Sequence, residues 1–182
     1  MTEWFWIVIC YSFLGYLLER VFARATKAPK QVRKCFLLLP LCPVYGLAMG
    51  VHLALLPAEG AGLLPLVLQG ALVATGVEYL VHLFYDKVLG VRFWDYTGIR
   101  GNLGGRICPP FSAIWGLLTA LAVLEVQPVL ERCIPLVPDW VTYAVFLMLA
   151  ADSALSIQLL RLYRDTELLS WREVSKRLIK ES

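Results

Sequence analysis

Charge is what this chain has least of. Asp, Glu, Lys and Arg make up 17% of its 182 residues, against about 25% in an average soluble domain. Hydrophobic residues make up 59%, and the mean hydropathy is +0.66. A chain this short cannot bury so many apolar side chains in one water-facing core, which excludes a soluble enzyme. The same figures exclude intrinsic disorder, which needs low hydrophobicity and high charge. No Gly-x-x-x-x-Gly-Lys-Ser/Thr stretch occurs. The Gly-rich run from Gly101 to Arg106 lacks the Lys and hydroxyl that handle nucleotide phosphate, so any ATP hydrolysis must come from a partner. A disulfide framework is missing too. Cys35, Cys42 and Cys108 fall on or near the expected cytoplasmic face, Cys10 and Cys133 toward the other, so free thiols are expected.

What is present is a series of apolar runs long enough to cross a bilayer, for which about 20 residues are needed. Five spans are expected, at residues 4–24, 36–57, 63–86, 107–126 and 138–161. The start, Met1-Thr2-Glu3, lacks the basic opening of a secretory signal peptide, so the first span is expected to be retained. The 17 Lys and Arg residues partition cleanly: six lie from Arg20 to Lys34, at and after the end of span one, four lie between spans three and four, and six lie from Arg161 onward, at and after the end of span five. The segment around Glu59 has none, and only Arg132 lies between spans four and five. Cytoplasmic loops carry the excess of cations, which predicts a multi-pass cell-membrane protein with its N-terminus outside and its C-terminus inside. Topology thus accounts for the net charge of +3, leaving no nucleic-acid signal.

Residues 1–163 read as a transmembrane domain and 164–182 as a basic cytoplasmic tail. In that tail Ser170 and Glu173 form a capping box. Trp171, Val174 and Leu178 share one face away from Arg172, Lys176, Arg177 and Lys180, as in a helix lying on an anionic leaflet; a solvated tail is the alternative.

An internal repeat runs through the apolar part. Pro40-Leu41-Cys42-Pro43-Val44-Tyr45-Gly46 matches Pro110-Phe111-Ser112-Ala113-Ile114-Trp115-Gly116: Pro, a small thiol or hydroxyl, a β-branched residue, an aromatic, Gly. The preceding span carries one deep carboxylate in each case, Glu19 and then Glu78. This reads as a parallel repeat of helices one and two on helices three and four, a common plan in transporters.

Ionisable groups inside a bilayer are costly and need a reason. At 1.5 Å per residue, Glu19, Glu78 and Asp152 all fall about 21 to 23 Å in from the outer face, suggesting one acidic site in the inner leaflet. Helix-packing carboxylates, neutral or paired with a neighbour such as Arg20, are the alternative. Glu78, His82 and Asp86 share one helix face. A metal would need more ligands, so a hydrogen-bonded relay or a packing face is expected, with no metal and no cofactor. His52 reads as a buried, hydrogen-bonded His.

The stretch from Arg92 to Gly116 is the densest in polar and aromatic residues, with Trp94, Asp95, Tyr96, Asn102, Arg106 and Trp115. It is too polar to span and too aromatic for a plain loop. A re-entrant or interfacial segment near residues 91–106 is expected, folding over the carboxylates with tight turns at Gly98, Gly101, Gly104 and Gly105.

These residues together resemble a family of small bacterial membrane proteins described as putative ABC-transporter type IV. The likeness rests on Gly15-Tyr16-Leu17-Leu18-Glu19, the Pro40 to Gly46 motif, Glu78, Trp94-Asp95-Tyr96, Asn102, Gly105-Arg106-Ile107-Cys108 and Trp115-Gly116. It covers about residues 10 to 120. Lys34-Cys35-Phe36 departs from the family, which has Gly after the basic residue. The resemblance implies a transport role and names no substrate.

The expected fold is therefore all-α, a polytopic membrane helical bundle. Its expected polar site comprises Glu19, Cys42, Tyr45, Glu78, Trp94, Asp95, Tyr96, Asn102, Arg106, Trp115 and Asp152. Three functions fit these residues. One is a transporter or the membrane subunit of a transport system, working in the lipid bilayer as a homodimer or with a separate nucleotide-binding subunit. Another is an intramembrane enzyme on a lipid or isoprenoid headgroup, with Glu78 or Glu19 as acid or base, Asp95 orienting, and Arg106 and Asn102 holding the headgroup. The last is a non-catalytic scaffold or regulator.

Overall fold

The computed structural model describes residues 2–26, 35–55, 62–166 and 169. Five helical rods carry them: α1 (Thr2–Ala25), α2 (Pro43–Leu55), α3 (Leu63–Leu89), α4 (Pro109–Leu136) and α5 (Asp139–Tyr163). All but α2 are long and apolar enough to cross a membrane. The basic tail expected to lie on the leaflet falls outside the described residues, apart from its first few. Of these, Leu169 is buried against Leu38, Tyr85, Leu89 and Leu160.

Two boundaries differ from expectation. The second span was expected from residue 36, but its helix begins only at Pro43, and 36–42 is irregular. Pro43 lacks the N–H a helix interior needs, and proline disfavours helical backbone at the residue before it, here Cys42. The fourth span was expected to stop at 126, where polar residues begin, yet α4 runs on to Leu136. It passes through a π turn at Ala122–Val126. There the Tyr11 hydroxyl of α1 reaches both the Ala122 carbonyl (3.3 Å) and Gln127 Oε1 (3.1 Å), while Gln127 donates onward to Glu131. Those bonds let the polar stretch stay helical.

Polar side chains are buried inside the bundle beside its apolar clusters, and large apolar ones cover its outside. Ser12, Glu19, His52, Glu78, His82, Thr119, Gln127, Asp152 and Ser156 are buried. Leu68, Leu72, Leu80, Leu117, Trp140, Phe146 and Leu147 face outward, each more than half exposed. Water-facing monomers rarely carry apolar patches above a few hundred Å², so these outer faces belong against lipid.

The repeat is structural as well as textual. In the first pair, a Cβ on Gly46 would collide with the Val8 carbonyl oxygen and the Ser12 hydroxyl. In the second, a Cβ on Gly116 would collide with the Val67 carbonyl oxygen and crowd Ala71. Val8 and Ser12 stand to Glu19 along α1 as Val67 and Ala71 stand to Glu78 along α3. Each pair therefore crosses at the same point, backbone against backbone, where only Gly fits; such contacts are a usual way for membrane helices to associate. Helix α5 is the extra element, tied to α1 by Trp6 Nε1 donating to Thr142 Oγ1 at 2.9 Å.

Candidate functional site

Fixing the two crossings fixes the two carboxylates. Glu19 is 8% exposed and Glu78 5%, and each meets the aromatic of the repeated motif on its partner helix. The Tyr45 hydroxyl donates to Glu19 Oε1 at 2.7 Å, and the Trp115 indole N–H donates to Glu78 Oε2 at 2.9 Å. The Tyr96 hydroxyl, from the irregular segment, donates to the other oxygen of Glu78 at 2.9 Å. Tyr45 and Trp115 then touch edge to face, their ring centroids 5.3 Å apart. Close approach again needs a Gly, since a Cβ on Gly15 would overlap the Tyr45 ring.

Between the pairs lies a cavity of about 280 Å³, mostly apolar. Glu19, Cys42, Tyr45, Glu78, Trp94, Tyr96 and Trp115, all singled out in the sequence, line it together. Phe36, Tyr85 and Phe93 line it as well and were not foreseen. Tyr85 stands two helical turns beyond Glu78, so the 3.6-residue period could have found it. No periodicity marks Phe36 or Phe93, which lie in irregular backbone.

Asp95, Asn102 and Arg106 do not line the cavity; they build the segment above it. Helix α3 ends at Gly90, whose φ of 69° suits a residue without Cβ. The chain then folds on itself. Asp95 Oδ1 accepts from the Thr97 N–H at 2.9 Å. Asn102 donates to the Thr97 and Ile99 carbonyls and accepts from the Gly105 N–H at 2.8 Å. Tyr96 N–H donates to the Gly105 carbonyl, and Trp94 Nε1 to the Arg106 carbonyl. Arg106 reaches Asp86 at 2.9 Å, and Arg92 takes the other oxygen of the same carboxylate. His82 Nε2 lies 3.1 Å from the Trp94 carbonyl. Gly101, Gly104 and Gly105 all take positive φ, whereas Gly98 does not. The Asp95 carboxyl sits below the usual carboxylate range, chiefly because the Thr97 N–H stabilises its charged form, with Arg92 adding to this.

Asp152 stands apart from the other two deep carboxylates. It is buried on α5, where it receives the Leu39 N–H at 3.4 Å and so holds the irregular segment before α2. Arg20 donates to the Tyr16 hydroxyl one turn back. His52 is buried as expected, at 1% exposure, but neither ring nitrogen has a hydrogen-bond partner among the described residues.

The lining offers carboxylate acceptors and aromatic faces. The Cys35 and Cys42 thiols line it too, with no His beside them among the described residues. A bundle with outward apolar faces, a duplicated helix pair and a walled cavity is a multi-pass membrane protein. Its family is the one described as putative ABC-transporter type IV: that family's model matches residues 6–157, and the chain belongs to it. Comparison with curated proteins and with solved structures finds no match.

Proposed function

We infer that this chain is the substrate-holding membrane component of a transport system, with the cavity between its two helix pairs as the binding site. One observation carries the reading: Glu19 and Glu78, one from each repeat, line a single cavity, each bonded to its own pair's aromatic. Repeat interfaces with deep polar residues are where transporters bind substrate. The family's description, putative ABC-transporter type IV, points the same way. The distribution of Lys and Arg supports a site in the inner leaflet of the cell membrane, with the N-terminus outside and the C-terminus inside. The chain lacks a nucleotide-binding motif, so the energy source is a separate nucleotide-binding subunit. Five rods leave little room for a pathway in one copy, which favours a homodimer within that assembly.

Native mass spectrometry of the protein gently extracted from its own membranes tests this. A reproducible nucleotide-binding or second membrane subunit is expected, together with ATPase activity that substrate stimulates. A lone monomer or homodimer carrying one dominant lipid overturns the transport reading and favours an enzyme acting on that lipid.

A further inference from the structure

We propose that the cavity takes the hydrocarbon chain of a single-chain amphiphile, which enters sideways from the bilayer between α1 and α4. The inference rests on the reading of the cavity as the binding site, and it names the class of ligand and the side from which it comes.

The way in is set by two bridges between α1 and α4. Near one end the Tyr11 hydroxyl donates to the Ala122 carbonyl and to Gln127. Near the other the Phe22 and Phe111 rings meet, 6.2 Å between centroids. Between these bridges Leu14 and Leu18 of α1 and Leu121 of α4 line the cavity, yet they are 39%, 36% and 57% exposed. Residues that line a cavity and also face outward mark where its wall opens. The outward faces of this bundle belong against lipid, so the opening gives onto the bilayer. Five rods leave little room for an aqueous path, and a ligand arriving sideways needs none.

The lining sets the shape. Along α4 it runs from Trp115 to Val126, about 16 Å at 1.5 Å per residue. A volume of about 280 Å³ over that length is a narrow slot, which suits one extended chain. Its two ends differ. Cys42, Tyr45, Tyr85, Trp94 and Tyr96 gather toward the irregular segment, whereas Met49, Leu118, Leu121, Ala122 and Val126 line the other end, with the Thr119 hydroxyl between. A polar head at the first end and a chain along the second match that division. A water-soluble solute would give up its hydration to a mostly apolar wall, which is costly. A chain already dissolved in lipid exchanges one apolar contact for another.

The test is photo-crosslinking of the full chain in nanodiscs of diacyl phosphatidylcholine, with adducts mapped by mass spectrometry. One probe is hexadecanol with a diazirine in mid-chain; its hydroxyl both donates and accepts. The other is a water-soluble glucoside bearing the same diazirine. The alcohol is expected to label Met49 and Ala122 in the cavity despite the excess of two-chain lipid. Unlabelled hexadecanol is expected to suppress those adducts while sparing any at the outward Leu72, Leu117 and Phe146. Ala48→Phe, which puts a ring into the lining, is expected to lose the inner adducts and keep the outer ones; the map on the unaltered chain stands without it. Alcohol adducts at outward residues only, or inner adducts that excess hexadecanol does not suppress, overturn the proposal. Inner adducts of the glucoside, with or without the alcohol's, also overturn it and leave the cavity as a site reached from water. Inner adducts of neither overturn the cavity reading as well. Native mass spectrometry judges transport separately, by whether a nucleotide-binding or second membrane subunit is present.

Discussion

Tyr45 and Trp115 meet edge to face on the cavity lining, 5.3 Å between ring centroids, and each holds the buried carboxylate of the helix before it. Two copies of one helix pair are joined there through their equivalent residues. The contact couples Glu19 to Glu78 by way of two rings, and its energetics can be measured.

Replacing either aromatic by Phe keeps a ring and removes a donor. Tyr45→Phe and Trp115→Phe are each expected to destabilise the bundle by about 1 kcal/mol, the scale of a hydrogen bond inside a membrane protein. Because the rings touch, the double variant is expected to depart from additivity by about 0.5 kcal/mol or more. Thermal unfolding of the four proteins in one detergent gives the cycle; strict additivity would show that the two halves do not communicate here.

Glycines at the crossings admit no substitution. Gly46→Ala and Gly116→Ala push a methyl into the backbones of α1 and α3 respectively, and both are expected to aggregate on extraction or to lose more than about 3 kcal/mol, as overpacking at a rigid contact does. Gly76→Ala is the control: a Cβ there meets nothing within 4 Å, so its melting temperature is expected to stay at or slightly above the parent's. Size-exclusion profiles and melting curves separate the three. A well-behaved Gly116→Ala would overturn the assigned crossing.

Asn102 is the clasp of the irregular segment. Asn102→Ala removes two donated bonds and one accepted bond at once, with an expected loss of about 1–3 kcal/mol. Asn102→Asp keeps the acceptor for Gly105 and is expected to fall between. Limited proteolysis reports it directly, through faster cleavage between residues 91 and 108.

Acid acts on the same segment. The carboxyl of Asp95 lies below its ordinary value of 3.8 when folded, chiefly through the Thr97 N–H. Its contribution is therefore fully present above pH 3.8 and lost as the pH falls through the lower folded value. Hydrogen exchange around Thr97 is expected to accelerate only below about pH 3.8. Asp95→Asn, which retains an acceptor oxygen but does not titrate, is expected to abolish that acid-induced step; its persistence would assign the step to another group.

Orientation can be read from one thiol. Cys133 is exposed, whereas Cys35, Cys42 and Cys108 are buried and Cys10 is half-buried. A membrane-impermeant maleimide is expected to label Cys133 from the outer side of intact cells, and Cys133→Ser is expected to remove that signal. Labelling only in inverted vesicles would reverse the proposed topology.

Much of this was legible in the sequence because apolar periodicity and the repeated motif are local signals. Spans one, three and five lie close to their helices. Matching two short strings, each after a span with one deep carboxylate, singles out Glu19, Tyr45, Glu78 and Trp115, and the structure adds which of them bond. What the sequence hid depends on distant partners. Gln127 and Glu131 look like the end of a span until Tyr11, on another helix, donates to Gln127, which in turn donates to Glu131. Asp152 counts to the same depth as the other carboxylates, but depth along a helix says nothing of direction around it, and it turns to Leu39 instead of the cavity. Asp95, Asn102 and Arg106 stand out as polar residues in an apolar chain, yet their partners are carbonyls and amides, or Asp86, which no single-residue signal reveals.

The bonds of Asp95 and Asn102 close within the irregular segment itself, while other side chains reach α3: Tyr96 to Glu78, Trp94 to His82, and both Arg92 and Arg106 to Asp86. Such a segment behaves like a cork more than a curtain. Its internal turns can stay intact while these ties, and the ring contacts of Phe93 with Tyr85 and of Tyr96 with Phe111, give way together. A unit tied this way is set by its anchors as a whole, so a change at Asp86, which takes both Arg92 and Arg106, reaches all of it at once.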